Sequence, residues 1–121
     1  MRTATIDLKG TIYTLCYSAR VATKVEERSG SVKEEMEKLS NGSIAETFWM
    51  LSQMLDAGER YDRMEGNDPP KPPTYDELVD SIGSDQFGDI YVAVAKALTA
   101  GSTPTVEVKP SKKGKGATQA E

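Results

Sequence analysis

The chain has 121 residues, of which 37% are hydrophobic, with a net charge of −4, one cysteine and no histidine. That length suits one core and a tail, and falls short of two ordinary domains. Without histidine the usual neutral-pH base and the commonest zinc ligand are missing, and no apolar run approaches the roughly 20 residues that span a bilayer. A soluble, unprocessed protein of a reducing compartment is therefore expected, with no membrane partner and with Cys16 outside any internal disulfide.

The charge is unevenly placed. Residues 1–108 carry 11 Lys/Arg against 18 Asp/Glu, whereas residues 109–121 carry four Lys and one Glu. An acidic body repels phosphate backbones, which makes nucleic acid an unfavourable partner for the folded part.

In chain order, residues 3–17 read as a β-hairpin. Ile6 and Leu8 alternate with polar residues, Ile12, Tyr13 and Tyr17 favour strands, and Lys9-Gly10 supplies a turn. A lone hairpin is marginal in water, so it must lie on the helices that follow or pair with another copy. Helices are expected over about 18–28 with Ser18 as N-cap, and over 31–40, where Ser31 and Glu34 have capping-box spacing. Val32, Met36 and Leu39 form the apolar line of the second. A long helix over 43–64 opens with Ser43 and Glu46 at the same spacing.

At 100° per residue the long helix carries two stripes. Ile44, Phe48, Leu51 and Leu55 form one; Met50, Met54, Ala57, Tyr61 and Met64 form a second about 120° away. Gly58 interrupts it at a cost of about 1 kcal/mol against alanine, and is a place where the helix bends or ends. Residues 66–73, with four prolines among the last five, form a stiff linker. Thr74 and Glu77 then cap a helix over 74–82 that carries Tyr75, Leu78, Val79 and Ile82 on one face and closes at Gly83. A last helix over about 85–100 places Phe87, Ile90, Tyr91, Val94 and Leu98 together, and Gly101 ends it. Residues 103–108 have the makings of a short strand; 110–121 lack an apolar anchor and are expected to be disordered. The fold class is α+β, mainly α: an N-terminal β-hairpin packed on about five helices in a single globular domain over 1–101, with a flexible basic tail over 102–121.

Catalytic chemistry finds no purchase here. Cys16 has no imidazole partner and sits on a strand, where a small core residue is the ordinary reading. Asp76 with Asp80, and Asp85 with Asp89, have i,i+4 spacing; carboxylates early in a helix complement its dipole and need no metal to explain them. Gly114-Lys115-Gly116 lacks P-loop spacing and a preceding strand. No catalytic residue, cofactor site or metal site is assigned, and the chain reads as a non-enzyme. The candidates for protein contact are Trp49, which falls outside both stripes, and Met50, Met54, Tyr61 and Met64 of the second stripe, because methionine adapts to several partner shapes. The competing reading packs the second stripe inside the domain.

Several pieces then carry a resemblance: Ile6-Asp7-Leu8-Lys9-Gly10-Thr11-Ile12-Tyr13-Thr14-Leu15 running into Ser18-Ala19-Arg20, a long helix opening on Gly42-Ser43-Ile44-Ala45-Glu46, and Thr74-Tyr75-Asp76-Glu77-Leu78 after the prolines. Over residues 3–100 the chain resembles a tail assembly chaperone of long-tailed, siphovirus-type bacteriophages and prophages. The resemblance implies a non-enzymatic protein of the host bacterial cytoplasm. It would bind the tape-measure protein, recruit tail tube subunits during tail morphogenesis, and be absent from the mature virion. It also implies a capacity to self-associate as a homo-oligomer. The alternatives are a small head-tail connector or other structural virion protein, and a host regulatory adaptor.

Overall fold

A computed structural model describes residues 3–102; of the tail expected over 102–121 only Ser102 is described, at the end of the last helix, and the rest, with the strand expected over 103–108, lies outside the described residues. The protein is α+β and mainly α. An antiparallel hairpin of β1 (Thr3–Leu8) and β2 (Thr11–Cys16) is followed by α1 (Ala19–Ser29), α2 (Val32–Ser40), α3 (Ile44–Met64), α4 (Tyr75–Ser81) and α5 (Phe87–Ser102). Among the described residues, no helix is long and apolar enough to cross a membrane.

The hairpin turn is tight because both central residues take positive φ, Lys9 at 54° and Gly10 at 89°, the geometry that matches the twist of the flanking strands. The Gly10 amide donates to Asp7 Oδ1 at 2.8 Å and braces it. Register pairs Ile6 with Tyr13, Ala4 with Leu15 and Leu8 with Thr11. These residues share the face turned to the helices; Ile6 and Leu15 are buried, while Thr5, Asp7 and Ile12 on the other face are exposed.

The long central helix is α3, which packs chiefly against β2, whereas α5 packs chiefly against β1. Gly58 neither bends nor ends α3, which runs unbroken to Met64. Its role is clearance: a Cβ there would overlap the carbonyl oxygen of Thr14. One turn further on, the Thr14 hydroxyl donates to Asp62 Oδ2 at 2.6 Å.

The same device recurs at the end of α5. Gly101 lies within the helix instead of ending it, and a Cβ there would sit 2.6 Å from Tyr17 Cβ and 2.7 Å from Tyr17 O. Along the line Ile90, Val94, Ala97, Gly101 the side chains shrink step by step, and the first three are buried. The helix can therefore close on the hairpin towards its C-terminus and stand off from it at its N-terminus.

The capping residues follow the sequence, but only one of the three expected capping boxes is complete. Ser18, Ser31, Ser43 and Thr74 each accept from a backbone amide three residues on. At Thr74 the Glu77 carboxylate returns the bond to the Thr74 amide at 2.8 Å, completing a capping box. At Ser31 and at Ser43 the expected return from Glu34 and Glu46 does not form; Glu46 is taken by Arg28. Helix α4 stops at Ser81, since Ile82 is already extended at φ −104°, ψ 128°.

Candidate functional site

The stand-off of α5 leaves a groove at the turn end of the hairpin. It has a volume of about 340 Å³ and is floored by Ile6, Leu8 and Tyr13 from the strands, Leu78 and Ile82 from α4 and its end, and Ile90 from α5. Asp7, Lys9, Thr11, Ser81, Gln86 and Asp89 supply polar groups around it, and Pro73 closes one side. The local reasons are plain. α4 has only seven residues, about two turns, too short to cover the inner face of both strands. The proline-rich connection before it cannot extend the helix backwards, and Ile82, extended after Ser81, joins the groove wall. An apolar floor with a polar margin is the usual form of a protein or peptide contact site.

The residues singled out from the sequence fall in different places. Met50 and Met54 are fully buried, which removes them from the surface of the folded chain. α3 is flanked by the hairpin on one side and by other helices elsewhere, so with Ala57 they belong to the core, as the packed reading of the second stripe requires. Tyr61 is half-buried against that core, and Met64, at the helix end, is 78% exposed. The first stripe also departs from expectation at Ile44. It is 54% exposed at the first position of α3.

Trp49 is half-buried and lies under a cation: Arg28 Cζ sits 4.5 Å from its ring centroid. Arg28 also donates to both carboxylate oxygens of Glu46, at 3.1 and 3.0 Å, and that bond raises the Arg28 pKa while holding Glu46 below the usual carboxylate range. Beside them, Ser29 donates to Glu35 Oε1 at 2.5 Å and accepts from Lys38 Nζ at 3.1 Å. Burial pushes the Glu35 carboxyl up.

Neither the groove nor the Glu35–Glu46 junction was singled out in the sequence. The groove residues Leu78, Ile82 and Ile90 read as inward-facing, but periodicity does not say where an inward face lacks a partner. For Glu35 a signal existed: Val32, Glu35, Met36 and Leu39 are at i, i+3, i+4 and i+7, so the apolar line of α2 includes a carboxyl. Asp76, Asp80 and Asp85 are exposed, and Asp89 stands at the groove. Cys16 is buried.

No protein-family model matches the chain, and neither a curated protein nor a solved structure matches it significantly.

Proposed function

We propose that this protein is a non-enzymatic chaperone of bacteriophage tail assembly, holding an apolar segment of the tape-measure protein in the groove at the hairpin turn and bringing tail tube subunits to it. The observation that carries the reading is the groove itself, in which half-buried Leu8, Tyr13 and Ile82 lie over buried Ile6, Leu78 and Ile90 with polar groups around them. A surface of that kind suits transient contact with apolar residues of a client that would otherwise aggregate. The order of elements, and the Ile6–Leu15 and Thr74–Leu78 segments that resemble tail chaperones, supply the class of client. On this reading the protein acts in the host bacterial cytoplasm and is left behind when the virion is complete.

The test is co-expression with the tape-measure protein of the same phage, comparing the native chain with Ile82→Lys. The native chain should keep the client in the soluble fraction and co-purify with it. The variant should lose both while retaining its thermal midpoint within a few degrees, because Ile82 is only half-buried. Equal solubilisation by both chains overturns the groove as client site. Recovery of the protein from purified virions in stoichiometric amount would favour the connector alternative.

A further inference from the structure

Helix α2 is held to the rest of the molecule in an unusual way. Of its nine residues only Glu35 and Leu39 are buried, and Glu35 is fully so. One of the two buried residues of this helix therefore carries a carboxyl group, beside partly buried Val32 and Met36. Burying an ionised carboxylate is costly unless every lone pair is matched, yet among the described residues only one of its oxygens is accounted for: Oε1 accepts from Ser29, and Oε2 is buried with no partner there.

Adjacent residues at the end of α1 place a second carboxyl alongside. Ser29 bonds Glu35 while its neighbour Arg28 grips Glu46, so the two acids meet where α1, α2 and α3 come together. Around the pair stand Arg28 from α1, Lys38 from α2 and Tyr17 from the end of the hairpin, with Glu26 of α1 bearing on Tyr17 and Tyr75 of α4 on Arg28. The Tyr17 hydroxyl is itself buried with no hydrogen-bond partner among the described residues, so it supplies no proton to Oε2. Arg28 satisfies the ionised form of Glu46; among the described residues nothing equivalent satisfies an ionised Glu35. A protonated carboxyl, by contrast, carries a donor, and the Glu46 carboxylate is the acceptor beside it.

We infer that Glu35 and Glu46 share a single proton, donated from Glu35 Oε2 to the Glu46 carboxylate, and that this proton latches α2 onto α1 and α3. Two opposed pH effects follow. Glu35 is raised by burial first, and the charge of neighbouring Glu46 adds to the rise. Its contribution is complete below the carboxyl's ordinary pKa and is lost as pH rises towards its folded value. Glu46 is lowered by Arg28 first, so its contribution is present above the ordinary pKa and is lost as pH falls through its folded value. The latch is strongest between those two limits.

Glu35→Gln tests this, because the amide keeps a donor and cannot ionise. In the native chain, the unfolding equilibrium constant should rise with pH above the ordinary carboxyl range, by up to about tenfold per pH unit. Glu35→Gln should lose that dependence and be the more stable chain at alkaline pH. In parallel, carbon-13 NMR of the native chain should show the Glu35 carboxyl titrating above the ordinary glutamate value, with α2 amide resonances moving at the same midpoint. That second measurement decides the question even if the variant does not fold. An unshifted or lowered Glu35 titration, or an unchanged alkaline slope in Glu35→Gln, overturns the shared proton.

Discussion

The two ends of the hairpin are treated in opposite ways by the helices that cover it. At the end remote from the turn, two glycines let the helices approach the chain closely: Gly58 of α3 against Thr14 of β2, and Gly101 of α5 against Tyr17, one residue past β2. At the turn end α5 presents Ile90 instead, α4 is short, and a groove of about 340 Å³ remains. The taper from Ile90 through Val94 and Ala97 to Gly101 joins the two. Small side chains permit close approach and large ones prop elements apart, so one line of residues on α5 clamps the hairpin and holds the groove open.

The clamp is most directly broken at Gly58. In an exposed helix, Gly→Ala stabilises by about 1 kcal/mol, whereas here the methyl group would meet the Thr14 carbonyl and force α3 from β2. Gly58→Ala should therefore destabilise by at least about 3 kcal/mol, at the upper end of overpacking effects because the obstacle is backbone. Urea denaturation monitored by circular dichroism reads both sign and size. A neutral or stabilising outcome would mean that α3 can shift along β2 without cost. Gly101→Ala comes next, with an expected loss of about 1–2 kcal/mol by the same measurement. Gly101 is one residue from the end of α5, where the backbone gives more readily than in the middle of α3.

This contrast also marks what could be read from residues alone. The hairpin, its turn and all five helices were legible to within about two residues, because turn chemistry, caps and apolar periodicity are local. Gly58 and Gly101 read as breakers, since glycine weakens an isolated helix; their actual role depends on a strand more than 40 residues away in each case. The Met50–Met54 stripe admitted two readings for the same reason: a sequence shows that a face is apolar, and the neighbouring elements decide whether it is covered. The groove was illegible because it is a mismatch of lengths, a seven-residue α4 against two six-residue strands, and mismatch is a property of the assembled fold.

Close to the clamp, a polar contact complements the glycine contact. Thr14 donates to Asp62 at 2.6 Å, one helical turn beyond Gly58, tying the β2 side chain to α3 where the backbone approach begins to widen. Thr14→Val preserves shape and strand preference while removing the donor, so the expected loss is about 1 kcal/mol, the ordinary net worth of a part-buried hydrogen bond. Asp62→Asn in the Thr14→Val background completes a double-mutant cycle that isolates the pair from effects of either residue alone. If the clamp depends on the glycine contact, the coupling energy stays near that figure and the double variant keeps the denaturant slope of the native chain. A coupling energy as large as the effect of Gly58→Ala would reverse the order of importance, making the hydrogen bond the feature that fixes α3 on β2 and the glycine a permissive one.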